Sequence, residues 1–150
     1  MSGNVYISYA HQDRDLAAAV CLHLESHAIP CWIAPRDVLP GEDHAGACAA
    51  ALQRCSALVL LFSEHVCDCA HVHREVKLAR EGRLLVVSFR IGARPKSIAL
   101  DGYLGDSPWV PGSNPPETRH LDFLVDKIRN PFPDRERVPG LLPGAAAGTE

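Results

Sequence analysis

Short, continuous apolar runs alternate with amphipathic stretches through the first two thirds of this chain, and that order constrains the fold more than any single motif. The runs are Val5–Tyr9, Cys31–Ile33, Ala57–Phe62 (ALVLLF) and Leu84–Ile91 (LLVVSFRI). The third has no polar alternation, as expected of a strand covered on both faces of a sheet. Between the runs, Leu16, Val20 and Leu24 recur every fourth position, flanked by Ala17 and Cys21, in a helix that Asp13 can open. Pro30 ends that unit. Ala45, Cys48, Ala49 and Leu52 suggest a second helical stripe, and a third helix is expected over roughly Ala70 to Arg80. The resulting β-α-β-α-β-α-β order calls for an α/β fold, a parallel sheet with helices on both faces.

Beyond residue 91 the pattern changes. Nine of the 12 prolines lie from Pro95 onward, so regular structure there is expected to be short. Trp109-Val110 reads as a brief edge strand, and Leu121, Leu124, Val125 and Ile128 as a final amphipathic helix. We expect a folded domain over 1–132 and a flexible Pro/Gly-rich tail or linker over 133–150. A fused or partner regulatory domain after residue 130 is one reading of that tail.

Several function classes are disfavoured. The 150 residues carry 15 basic against 18 acidic side chains, a formal net charge of −3, and are 6% aromatic, a poor match to a general nucleic-acid binder. No apolar run approaches the roughly 20 residues of a membrane span, and no signal peptide is evident, so the expected compartment is the cytosol. Cys21, Cys31, Cys48, Cys55, Cys67 and Cys69 then read as reduced thiols rather than a disulfide framework. The chain has no GxGxxG after its first strand, no P-loop and no GxSxG elbow. Ser8-Tyr9 at the end of the first strand, in place of an acidic pair, weakens a phospho-receiver reading.

Ligands of open α/β sheets bind outside the carboxyl ends of the strands. Here those ends are Ser8 to His11, the loop from Ala34 to Asp43, and Ser63 onward. Glu75 is the most informative residue. It falls within the arc of Val72, Val76 and Ala79, the apolar side of the third helix, and of its helical neighbours only His71 could pair with it. A part-buried carboxylate without a basic partner is costly and points to a functional site, unless rotation of the helix exposes it or a distant Arg satisfies it. The Cys67, Cys69, His71, His73 series contains zinc-type ligands, but alternate positions diverge on a helix and no second pair accompanies them, so no metal is expected.

Taken together, these residues resemble the Toll/interleukin-1 receptor (TIR) domain family, particularly its bacterial branch, from about Val5 to Phe132. Val5–Tyr9 is similar to the family's opening strand. Trp32-Ile33-Ala34-Pro35-Arg36-Asp37 with Pro40-Gly41 resembles the second strand and BB loop, and Val72-His73-Arg74-Glu75 the segment bearing the family's catalytic glutamate. Trp109-Val110-Pro111 sits where the family often has a late tryptophan.

The resemblance implies a flavodoxin-like sheet and one of two activities. One is cleavage of NAD⁺, as substrate rather than cofactor, at the nicotinamide–ribose bond. The products would be nicotinamide with ADP-ribose or a cyclised isomer, with activity on self-assembly and a role in anti-phage immunity. The other is a non-catalytic adaptor acting through TIR–TIR contacts. Under the enzymatic reading Glu75 would be catalytic, and Ser8, Tyr9 and His11 would line the floor of the site. Arg36, Asp37, Gly41 and Asp43 would belong to a mobile loop that gates the site or touches a neighbouring subunit, although Asp43 could equally cap the second helix. Trp32 reads as core. Enzymatic relatives often carry an aromatic, commonly Trp, four residues before the glutamate; here that position is His71.

Overall fold

Burial follows the apolar runs closely. The computed structural model describes residues 4–34, 36–91, 98–105 and 107–131. Five strands form one sheet: β1 (Asn4–Ser8), β2 (Cys31–Trp32), β3 (Cys55–Phe62), β4 (Leu85–Ile91) and β5 (Trp109–Gly112). Their spatial order is β2-β1-β3-β4-β5, and every pairing is parallel. This is the flavodoxin-like order, in which the chain reverses direction across the sheet between β1 and β3.

The helices divide between the two faces. α1 (Arg14–Ser26) and α5 (Thr118–Arg129) cover one face, where Leu16, Val20, Leu24, Leu121, Leu124 and Val125 pack on Val5, Ile7 and Val59. α2 (His44–Arg54), α3 (Ala70–Glu81) and the short α4 (Ile98–Leu104) cover the other, with Cys48, Leu52, Val72, Val76 and Leu100 against Tyr6, Leu58 and Leu60. Residues alternate between these two cores along β1, so Tyr6 and Ser8 share one face and Val5 and Ile7 the other.

Two details depart from the sequence expectation. The buried stripe of α2 is Ala47, Cys48, Ala51 and Leu52, whereas Ala45 is exposed and Ala49 only half-buried. Alanine and glycine are small enough for either environment, so an Ala-rich helix does not announce its phase. Asp13 does not cap α1 with its side chain; its carboxylate is buried and accepts a hydrogen bond from the Ser63 hydroxyl. The turn after α3 has its left-handed residue at Arg83 (φ 60°), and Gly82 before it keeps a φ of −81°.

α4 was not anticipated; Leu100 and Leu104 anchor it in the second core. The expected boundary at residue 132 and the tail over 133–150 lie outside the described residues. Among the described residues, no helix is long and apolar enough to cross a membrane.

Candidate active site

Glu75 is buried, with 5% of its surface exposed, as the α3 pattern requires. Its hydrogen-bond partners come from β1 rather than from its own helix. The Ser8 hydroxyl donates to Oε1 and the Tyr6 phenol to Oε2, each at 2.8 Å. Burial pushes the Glu75 carboxyl above the usual carboxylate range, while the two hydroxyls, His71 and Arg74 pull it back. Tyr6 is held in place by the Trp32 ring, stacked at 5.1 Å with an interplanar angle of 11°. Burial, the Glu75 charge and the neighbouring Cys48 push the Tyr6 phenol far up, so it stays a donor. Trp32 is therefore core, and it supports the site from behind.

A cleft of about 290 Å³ opens in front of this group, lined by Tyr6, Tyr9, His11, Arg14, His44, His71 and Glu75 among others. It lies at the carboxyl end of β1, where the strand order reverses. Tyr9, His11, His71 and Glu75 thus face one cleft, and the buried Ser8 joins them through its bond to Glu75. The Tyr9 phenol donates to the Ala34 carbonyl and ties the end of β1 to the loop after β2. One ring nitrogen of His71 donates to the Tyr9 carbonyl at 3.1 Å, and the other lies 3.1 Å from the Cys69 thiol. His73 turns instead to the Val66 carbonyl, so His71 and His73 serve different backbone segments.

The loop residues are placed elsewhere. Arg36 faces α1, making two bonds to Glu25 at 2.9 and 3.0 Å and others to Asp37 and the Cys31 carbonyl. Asp37 in turn accepts from the Ile33 backbone N–H at 2.9 Å. These contacts stiffen the start of the loop and place Arg36 in a second pocket, of about 440 Å³, that shares Tyr9, Arg14 and Ala34 with the first. Gly41 is exposed and sits at φ +84°, a conformation glycine adopts without strain. Asp43 caps α2, accepting from the Gly46 N–H at 2.8 Å.

Sequence reasoning missed Tyr6, Arg14 and His44. Tyr6 was within reach: it lies two residues before Ser8 on the same strand, and hence on the same face. Arg14 and His44 carried no such signal, because they open helices whose docking decides where they point.

A family profile described as TIR domain matches residues 5–125. The chain belongs to the TIR domain family. This TIR domain has several structural relatives. One is the TIR domain of the Toll-related receptor TRR-2 from Hydra magnipapillata, with a TM-score of 0.68 at 18% identity, over 86% of this chain and all of that one. Another is the TIR domains of the activated Roq1 resistosome, with a TM-score of 0.61 at 11% identity, over 85% of this chain and 99% of that one. A third is the CMP N-glycosidase BcmB of Clostridium botulinum, with a TM-score of 0.57 at 15% identity, over 81% and 97%. No curated protein sequence matches the chain significantly.

Proposed function

We propose that this TIR domain cleaves NAD⁺ at the nicotinamide–ribose bond, with Glu75 as the catalytic residue. The observation that carries this reading is a buried carboxylate whose oxygens keep acceptor capacity toward a cleft. An ionised carboxylate offers about four acceptor positions. Tyr6 and Ser8 occupy two, one on each oxygen, with the Cys48 thiol also close, and we assign the remaining capacity on the cleft side to ribose hydroxyls.

The chemistry needs little else. An ordinary glycosidase requires a general acid because an alkoxide leaves poorly. Nicotinamide departs from NAD⁺ as a neutral amine, taking the electron pair of the C1′–N bond with it. Positive charge then develops on the ribose, and hydrogen bonds from its hydroxyls to Glu75 strengthen as it does. Attack on C1′ by water gives ADP-ribose and releases a proton; attack from within the same molecule gives a cyclic isomer. Tyr6 and Ser8 fix the carboxylate so that it need not reorganise. Arg14, His11 and His44 supply the polar rim on which the anionic phosphates of the substrate would lie. The N-glycosidase relative supports the reading, since its named reaction also breaks a nucleotide's ribose–base bond on a similar fold.

The cleft of one chain is near the lower end of the volumes that hold whole small-molecule ligands. The rest of a dinucleotide would extend past the loop that carries Gly41 and Asp43, which supports a site completed by a second copy. The resistosome relative is an assembly containing TIR domains, in line with activity on self-association. Within the bacterial branch that the motifs resemble, the place of such an enzyme is cytosolic anti-phage signalling. The second reading is a non-catalytic adaptor. It is favoured by His71, whose ring nitrogen is committed to the Tyr9 carbonyl where an indole face would otherwise meet substrate.

The test is incubation of the chain with NAD⁺ at low and high protein concentration, with nicotinamide followed by chromatography. Release equal to NAD⁺ loss, rising more steeply than protein concentration, is expected. Intact NAD⁺ in a sample shown to be assembled would leave the adaptor reading standing.

A further inference from the structure

On the sheet face opposite the cleft, a second group of side chains converges. His23 and His27, one turn apart at the end of α1, meet Asp122 from α5. One ligand atom from each lies within 4.8 Å of the other two. His23 Nε2 donates to Asp122 Oδ1 at 3.0 Å, and the two imidazole rings sit 4.6 Å apart, tilted by 33°. His27 Nδ1 is 3.0 Å from the carbonyl of His23. A carbonyl can only accept, so Nδ1 carries the proton and a neutral His27 keeps a lone pair on Nε2. A metal-bound histidine is oriented by its second nitrogen in this same way.

We propose that His23, His27 and Asp122 form a surface site for a divalent transition ion of the zinc class. Two imidazoles and a carboxylate are a favourable set for zinc, and the tetrahedral fourth position would be taken by water. Solvent reaches it, because the Asp122 side chain is 54% exposed. Ligands of a tetrahedral zinc lie roughly 3.3 Å apart when each bond is about 2.0–2.1 Å long, so donor atoms within 4.8 Å of one another must draw together by at most about 1.5 Å. Ligation replaces the His23–Asp122 hydrogen bond, and the His23 proton moves to Nδ1. Arg129 lies nearby, but its guanidinium donates to the His27 carbonyl at 2.6 Å, on the backbone side.

The other donor cluster among the described residues, Cys21 with Glu25 and Cys31, is already served by a cation. Arg36 binds both Glu25 oxygens and reaches Cys21 Sγ at 3.5 Å, so it holds the place an ion would take. Among the described residues, no cation occupies the histidine site in that way. An ion there would fasten the end of α1 to α5 and stabilise the domain independently of the catalytic cleft.

The test uses the untagged chain, stripped of metal. Calorimetric titration with Zn²⁺ should give one site per chain, and saturating Zn²⁺ should raise Tm. The double variant His23→Gln/His27→Gln should lose both effects, and Asp122→Asn, whose side chain is largely in solvent, should weaken binding at least tenfold. Co²⁺ should give the visible bands of a nitrogen and oxygen site without thiolate charge-transfer absorption. Zn²⁺ binding unchanged in either variant, no stoichiometric binding by the parent, or a thiolate band that survives the histidine changes would each overturn the proposal. If the double variant does not fold, Asp122→Asn with the cobalt spectrum decides it.

Discussion

Glu75 shows at the scale of one residue how a costly group is tolerated. Desolvation raises its pKa, so the folded protein holds its proton to higher pH than the unfolded chain does. The unfolded carboxyl titrates at about 4.3. Below that, both states are protonated and ionisation of Glu75 costs nothing. As pH rises through the folded value, the unfolded state ionises more readily and stability is lost. Glu75→Gln should therefore raise Tm at pH 7 and lose that advantage by about pH 4. Parallel pH profiles of Tm for parent and variant would contradict the account. The inward placement of Glu75 was legible from the spacing of Val72, Val76 and Ala79. Its partners were harder to read, because Tyr6 and Ser8 lie 69 and 67 residues away and pair with it only through docking of α3 on β1.

Among the elements, long apolar runs were the most legible. β3 and β4 are buried on both faces, as runs without regular polar alternation lead one to expect in a covered parallel sheet. Short or compositionally neutral elements were less so. α2 rotates away from its expected stripe because alanine marks no face, and α4 is too short to establish a period. β5 shows what an edge strand in this sheet must obey. Its Trp109 lies beside the Arg90 guanidinium, 4.5 Å from the ring centroid. Its Gly112 lies where an added Cβ would come within 2.6–2.8 Å of the Phe89 ring. Phe89 is fully buried, so the ring has nowhere to retreat. Gly112→Ala should destabilise by about 1–3 kcal/mol, the usual cost of overpacking a core. A denaturant midpoint equal to that of the parent would show that β5 can move away from β4.

For the molecule as a whole, the parallel sheet brings the ends of β1 and β2 beside α2 and α3, and the cleft is a product of that crossover. Its general position was legible from the rule that ligands sit at carboxyl ends of strands. In the following loop, the capping of α2 by Asp43 was one of the two readings open in the sequence, whereas the commitment of Arg36 to Glu25 on α1 was not legible. The same loop carries Leu39, which is 65% exposed. If a second copy completes the site there, Leu39→Asp should leave Tm within about 1–2 °C of the parent, because surface changes of this kind cost little. It should also lower turnover at least tenfold at high protein concentration. Unchanged turnover would place the assembly surface elsewhere.

The most direct measurement is nicotinamide release from NAD⁺ by the parent chain and by Glu75→Gln, compared under identical assembling conditions with both shown to be folded. Loss of a preorganised group that acts on transition-state charge typically costs about 10²–10³ in rate. The account predicts a loss of at least that size in the variant. Equal release by the two proteins would contradict it.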